Sequence, residues 1–225
     1  MFRFMCLLLG AIVPVFCAPV DCLTGTLADY LTLPADGCSL GPVTVSDFAN
    51  PGVLPTSTEI APSTINVTPI FDASPGLRFE YGASAGPGEV FQSIVEFVLS
   101  FPSSAASFGE LRGEMAALSG GAASATSEFC SGTFAGGLCT GSSQVLAVFH
   151  IGDATDDFDR QSLPPGAIFA IRHDVVADGG LDASASVDAA ELRFSQVPEP
   201  ATAATVLTAL AAFLVCRRCR TRRRI

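Results

Sequence analysis

Hydrophobic and polar residues alternate over most of the chain, which is the pattern of β-strands with one buried and one solvated face. The alternation is clear in residues 77–81, which read LRFEY, and in residues 187–194. Residues 95–99 and 145–149 are almost continuously apolar, which predicts central strands. In all, the pattern predicts strands at 43–48, 64–71, 77–81, 90–101, 107–115, 125–130, 145–151, 167–176 and 184–195.

Glycine, proline, serine and aspartate separate these segments, as in GPG at 86–88 and PPG at 164–166. Short strands joined by such turns predict an all-β fold, a single antiparallel β-sandwich with jelly-roll-like topology. Residues 108–118 also fit a short helix. Because that segment contains Gly109 and Gly113, a strand is the favoured alternative.

The C-terminus has a different pattern, an uncharged run followed by a basic tail. Residues 201–216 span about 24 Å as a helix, against a hydrocarbon core of about 30 Å, so they predict one transmembrane helix. The tail at 217–225 holds six arginines, which the positive-inside rule places in the cytoplasm. They are Arg217, Arg218, Arg220, Arg222, Arg223 and Arg224.

The N-terminus predicts a secretory signal peptide at residues 1–17. Arg3 is followed by an apolar stretch at 4–13, and cleavage is predicted after Cys17, with cleavage after Ala18 as the alternative. Lipidation of Cys17 is disfavoured because Phe16 is bulky. The Sec translocon and signal peptidase are therefore expected partners.

The order of Val197, Pro198, Glu199, Pro200, the apolar helix and the arginine cluster resembles the PEP-CTERM sorting domain of Gram-negative bacteria. This resemblance covers residues 197–225 and implies processing by exosortase. It also implies an inner-membrane protein with a periplasmic ectodomain at 18–196, later moved to the cell surface or extracellular matrix, with exopolysaccharide as a candidate partner. The alternative is an ordinary tail anchor after a proline-rich linker.

Charge separates the two ends from the body. The chain has no lysine, and the two terminal segments hold seven of its twelve arginines, while nearly all of the 22 acidic residues lie between them. Such an acidic body repels nucleic acid and other anionic surfaces, so nucleic-acid binding is excluded. Acidity of this kind commonly serves solubility; divalent-cation binding and ionic bridging within a matrix are the functional alternatives.

Four cysteines remain in the body, and four cysteines allow three pairings. Their closeness in sequence favours Cys22–Cys38 and Cys130–Cys139, which are expected as structural disulfides in an oxidising compartment. Cys216 and Cys219 form a Cys-x-x-Cys without a second ligand pair, so neither redox chemistry nor zinc binding is predicted there.

Catalytic residues are not predicted. Ser84 lies in a Gly-x-Ser-x-Gly match, but Pro87 and Gly88 stand where a nucleophile elbow needs a helix. His150 and His173 are the two histidines of the chain, and nothing in their spacing argues for a triad or zinc site. The chain is therefore expected to be a non-enzymatic surface or matrix protein that needs no cofactor.

A calcium or carbohydrate-binding module is the alternative function. Asp153, Asp156, Asp157 and Asp159 concentrate carboxylates after a strand, and Ca²⁺ prefers such ligands, although the spacing is not that of an EF-hand. A solvated acidic turn is the simpler interpretation. The absence of Trp and the presence of two Tyr disfavour a sugar-stacking platform.

Overall fold

The computed structural model describes residues 19–103 and 107–196, which form a sandwich of two antiparallel sheets. The predicted all-β sandwich is confirmed. Of the sixteen strands in these ranges, fourteen build the two sheets and the other two pair only with each other; two short helices are also present. The strands are β1 Gly25–Thr26, β2 Cys38–Leu40, β3 Val43–Ala49, β4 Thr58–Glu59, β5 Asn66–Ile70, β6 Gly76–Ala85, β7 Val90–Ser100, β8 Ser107–Ala117, β9 Ala122–Cys130, β10 Phe134–Ala135, β11 Leu138–Cys139, β12 Ser143–Ile151, β13 Ala154–Asp156, β14 Phe158–Ser162, β15 Ile168–Asp178 and β16 Ala185–Gln196.

The helices are α1 Leu27–Tyr30 and the 3₁₀ helix Pro62–Thr64. Thr26 and Asp29 form a capping box at the start of α1, with the Asp29 carboxylate accepting from the Thr26 N–H at 2.7 Å. Within the described ranges no helix is long and apolar enough to cross a bilayer. The predicted signal peptide at 1–17, membrane helix at 201–216 and basic tail at 217–225 lie outside the described residues.

The small sheet has six strands in the order β1-β5-β6-β16-β8-β14, and the large sheet has the order β13-β12-β9-β15-β7-β3-β2, with β4 pairing β7. The long central strands pass from one sheet to the other along the chain. As a result β6-β16-β8-β14 faces β7-β15-β9-β12, which is the strand order of a jelly roll. Each long strand thus pairs with a strand distant in sequence.

The core lies between the sheets and follows the alternation in the sequence. On β15, Phe169, Ile171, His173 and Val175 are fully buried, while the residues that alternate with them face outward. Phe129 meets Phe169 and Phe194 edge to face, with ring centroids 6.5 and 6.2 Å apart. Rings from both sheets therefore interlock in the centre of the sandwich.

Residues 108–118 form most of strand β8, not a helix. This segment pairs with β16 on one side and β14 on the other, so its backbone polar groups are taken up by the sheet. Its glycines make room for the core. A Cβ on Gly109 would lie 2.8 Å from the Phe129 Cζ, closer than side chains pack.

The sandwich has two ends, which we name the free pole and the C-terminal pole. At the free pole the turns at 86–89, 118–121 and 179–184 interlock, with the Gly88 N–H donating to the Gly180 carbonyl at 2.6 Å. At the C-terminal pole the Gln196 side chain donates to the Ser103 carbonyl at 2.8 Å. The twelve residues of β16 connect the poles over about 40 Å.

Candidate binding site

Two disulfides staple the sandwich, and they are the two pairs that sequence locality favours. Cys22–Cys38 ties the N-terminal segment to β2, and Cys130–Cys139 joins the end of β9 to β11. Both stabilise the body; neither takes part in a binding surface. The predicted sorting residues Val197, Pro198, Glu199 and Pro200, and the six tail arginines, lie outside the described residues.

The acidic loop proposed for calcium is spread over two sheets. Asp153 lies in the turn before β13, whereas Asp159 lies on β14 of the small sheet, where its carboxylate accepts from the Ala147 N–H at 3.0 Å and from the Gln161 side chain at 2.8 Å. Asp178 cannot add a ligand to this group, because its strand β15 is separated from β13 by three strand spacings, roughly 14 Å. Across residues 19–103 and 107–196, no three His, Cys, Asp or Glu side chains gather closely enough to hold a metal ion.

The residues tested for catalysis are not assembled into a site. Ser84 is exposed within strand β6, without the strand-to-helix turn of a nucleophile elbow. His173 is fully buried, 2.7 Å by its Nδ1 from the Ser127 hydroxyl and stacked on Phe79 at 5.1 Å. Burial lowers the pKa of His173 to about 4, so the ring is neutral at pH 7. A substrate has no access to this pair.

A β-bulge on β6 creates a recess at the edge of the small sheet. Val187 of β16 faces Ala83, and Ala189 faces Glu80, so Tyr81 and Gly82 together oppose the single residue Asp188. Gly82 has a φ of 53°, a value that residues with a side chain rarely adopt. The pairing of β5 with β6 ends at Glu80, which leaves the next part of this β6 edge without β5 beside it.

Two adjoining clefts follow this bend and share Thr64, Tyr81 and Gly82; together we name them the β6 cleft. One, of about 380 Å³, adds Asn66, Glu80 and Asp188 to its wall. The other, of about 400 Å³, adds Glu59, Ile60, Ser84 and Phe91. Each has the volume of a small-molecule site.

The electrostatic character of the β6 cleft is acidic. Arg78 is the cation among its lining residues, and both of its terminal nitrogens donate to Glu114 at 2.7 Å, while its Nε donates to Glu80 at 3.2 Å. This contact holds the pKa of Glu114 below its usual value. Because Arg78 is occupied, the cleft offers hydrogen-bond acceptors, chiefly the carboxylates of Glu59 and Asp188.

Tyr81 borders the cleft from the core side. The residue is only 5% exposed, and its ring lies 6.4 Å from those of Phe79 and His173. Burial raises the pKa of its phenol, so the hydroxyl stays protonated and able to donate at neutral pH. Tyr30, by contrast, already donates to the Leu23 carbonyl at 2.9 Å.

Thr64, Tyr81 and Asp188 are site residues that the sequence pattern did not single out. A local signal was present, because Gly82 interrupts an otherwise alternating strand, and glycine inside a strand commonly marks a bulge. The position of Asp188 opposite that bulge depends on the pairing of β16 with β6, which no local pattern contains.

No protein-family model and no curated protein matches this chain. Among solved structures it is similar to the carbohydrate-binding module TmCBM61 in complex with β-1,4-galactotriose, at 12% identity and a TM-score of 0.27, covering 75% of this chain and 98% of that one. It is also similar to the family 11 carbohydrate-binding module of Clostridium thermocellum in complex with a β-1,3-1,4-mixed-linked tetrasaccharide, at 10% identity and a TM-score of 0.23, covering 76% and 96%.

A third similar structure is the enzymatically active domain of tailspike protein 4 from bacteriophage CBA120, at 9% identity and a TM-score of 0.26. The match covers 74% of this chain but spans only 21% of the tailspike chain. Similarity of this size assigns neither a ligand nor an activity to the present chain.

Proposed function

We propose that this chain is an exported, non-enzymatic protein of the cell envelope or extracellular matrix, delivered by a C-terminal PEP-CTERM sorting signal and processed by exosortase. The observation that carries this proposal is the order of sequence features at 197–225: a Pro-Glu-Pro motif at 198–200, an uncharged run at 201–216 and a cluster of six arginines.

The two disulfides support the same route, because such bonds persist in oxidising compartments outside the cytoplasm. In this proposal the Sec translocon exports the chain and signal peptidase removes residues 1–17. The helix at 201–216 then holds the protein in the inner membrane, with residues 18–196 in the periplasm, until exosortase passes the body to the surface or the matrix.

Replacement of Pro198, Glu199 and Pro200 by alanine tests the sorting proposal. In a host that makes exosortase, the variant is expected to stay full length in the membrane, whereas the natural chain loses its tail. Mass spectrometry of the mature C-terminus measures this, and Thr202→Ala just beyond the motif is the matched control. Removal of the tail from the triple variant at the normal rate refutes the proposal.

A carbohydrate-binding module is the second candidate function, and the β6 cleft favours it. The cleft combines a partly exposed aromatic residue, Phe91, with carboxylate acceptors, the two features that hold a sugar ring by its apolar face and its hydroxyls. The calcium form of this candidate has no comparable support, since the described residues gather no metal-ligand set.

Calorimetry of the full chain in detergent micelles against a panel of oligosaccharides, with and without Ca²⁺, tests the second candidate. Heat is expected with at least one saccharide, and the same heat after Ca²⁺ is removed by a chelator. A panel without heat and without a shift in thermal unfolding eliminates the carbohydrate-binding function and leaves the sorting proposal unaffected.

A further inference from the structure

We infer that the β6 cleft is the saccharide site and that it takes neutral sugars while rejecting uronic acids and other anionic glycans. This inference rests on the second candidate function and specifies its site and its ligand class.

Hydrogen-bond acceptors outnumber donors in the cleft. Asp188 is exposed on the bulge and makes no ion pair with any described residue, and the Glu59 carboxylate accepts from the Asn50 side-chain amide at 2.5 Å. A carboxylate has several lone pairs, so both groups retain acceptor capacity. The ligand that suits them is rich in donors. The hydroxyls of a neutral sugar are such donors, and their bonds to carboxylates are charge-assisted.

The same groups act against an anionic ligand. The one lining cation, Arg78, is shared by Glu114 and Glu80, so an incoming uronate meets no free guanidinium in the described part of the cleft. It meets Glu59 and Asp188 instead, on a body with a strong excess of acidic residues. Both carboxylates are exposed, and the like charge of a uronate brought beside them is repelled, which acts against the anionic class.

Shape supports the assignment. Phe91 is partly exposed in the cleft wall and supplies apolar surface for the C–H face of a sugar ring, while Tyr81 and Ile60 behind it are almost fully buried. The small side chains that follow on β6, Ala83 and Ser84, leave space along the strand edge that β5 does not cover. Because the two clefts share one wall, a short saccharide can run from one into the other.

The cleft lies far from the last strand residue that the structure describes. Asp188 precedes Gln196 by eight residues of strand β16, which is about 26 Å. The cleft is therefore well separated from the C-terminal pole.

A blocking variant with a matched neighbour tests the site. Thr64 is exposed at the end of the 3₁₀ helix and borders both clefts, while Ser63 is its exposed neighbour and borders neither. Thr64→Trp is expected to weaken binding of a neutral oligosaccharide more than about 10-fold, because the indole fills the space where the two clefts meet. Ser63→Trp is expected to weaken it less than about 2-fold. Calorimetry of each full chain in detergent measures the dissociation constant, and thermal unfolding checks that both variants fold.

Two further arms test the chemistry. Tyr81→Phe keeps the ring and removes one donor, so a loss of about 3- to 10-fold is expected, the equivalent of one hydrogen bond. Oligogalacturonate is expected not to bind the natural chain. Asp188→Asn is expected to narrow the preference for neutral over anionic sugars, whereas Asp182→Asn, an exposed carboxylate at the free pole, is expected to leave it unchanged.

The outcomes separate the inference from the function on which it rests. If Thr64→Trp and Tyr81→Phe both bind a neutral saccharide as tightly as the natural chain, the site lies elsewhere. That result overturns the inference but not the carbohydrate-binding function. Equal affinity for oligogalacturonate and neutral sugars overturns the assigned ligand class. Absence of binding to every saccharide removes the function and the inference together.

Discussion

His173 is a titratable side chain sealed inside the sandwich. Its strand, β15, pairs with β7 on one side and β9 on the other. The Nδ1 of the ring lies against the Ser127 hydroxyl, and the Nε2 is buried without a hydrogen-bond partner among the described residues. Burial disfavours the charged ring, which is why its pKa falls to about 4. In the unfolded chain the same ring takes up a proton near its ordinary value of about 6.5.

The sandwich is therefore expected to lose stability as the pH falls. Between pH 6.5 and 4 the unfolded chain binds a proton that the folded chain does not. The free energy of unfolding therefore decreases by roughly 3 kcal/mol as the pH falls through that window. Above pH 6.5 the contribution of His173 does not change with pH. Urea unfolding at pH 7, 5 and 4 measures the effect.

The double variant Ser127→Ala, His173→Leu is expected to remove this part of the pH dependence, and His150→Gln, at a partly exposed position on β12, is expected to keep it. Carboxylates with shifted pKa values, such as Asp174 and Glu114, contribute equally to all variants and cancel in the comparison. Parallel curves for the natural chain and the double variant mean that His173 is not the responsible group.

At the scale of elements, the interlocked turns of the free pole control how the strands meet. A Cβ on Gly179 would lie 1.9 Å from the Gly86 carbonyl oxygen, which belongs to the turn between β6 and β7. The contact is with a backbone atom, so relieving the clash would require the turn itself to move, whereas a flexible side chain could rotate away. Gly179→Ala is expected to lower the free energy of unfolding by about 3 kcal/mol, the size of an overpacking defect.

Gly41→Ala is the comparison for Gly179→Ala. Gly41 has a φ of 64° and open space around it, so an added methyl meets only backbone strain, worth about 1 kcal/mol. Denaturant unfolding of both variants separates the two causes. If Gly179→Ala costs no more than Gly41→Ala, the turns are not closely packed in solution.

At the scale of the whole molecule, the disulfides link stability to the compartment. Their loops close over sequence separations of 16 and 9 residues, and each is worth about 3 kcal/mol in the chain-entropy estimate. Domains of this kind hold only about 5–15 kcal/mol in total. Reductant is therefore expected to lower the free energy of unfolding by about 6 kcal/mol, which unfolds much of the protein.

Thermal unfolding with and without reductant checks this prediction. A variant with Cys22, Cys38, Cys130 and Cys139 changed to alanine supplies the control, because it is expected to be as unstable as the reduced protein and insensitive to reductant. An unchanged unfolding midpoint on reduction contradicts the view that the body requires an oxidising compartment.

Nine strands, including every strand longer than five residues, could be predicted from the sequence, because a sheet with one buried face has a period of two residues that is visible locally. The five-residue strand β14 was missed. Short strands such as β4 and β13 could not, since two or three residues form a strand only when a neighbour offers a pairing edge. The acidic loop shows the opposite error. Its carboxylates are close in sequence, but the chain crosses between sheets at Asp157 and separates Asp153 from Asp159.

The candidate site was beyond local prediction for the same reason. Gly82 marks a bulge in the sequence, but the cleft also needs Thr64 from the 3₁₀ helix and Asp188 from the last strand. The match at Ser84 carried no catalytic meaning, because a motif requires its structural setting, and here the residue continues a strand.

The sequence alone determined where the longer strands lie along the chain, which cysteines are close enough to pair, and how acidic the body is. Periodicity and short loop closure depend on neighbouring residues, and the charge depends on composition. The jelly-roll pairing, the burial of His173 against Ser127 and the convergence of Thr64, Tyr81 and Asp188 were decided by the tertiary structure. Each of these depends on the register between strands far apart in the chain, and that register is set only when the two sheets pack and bury one common core.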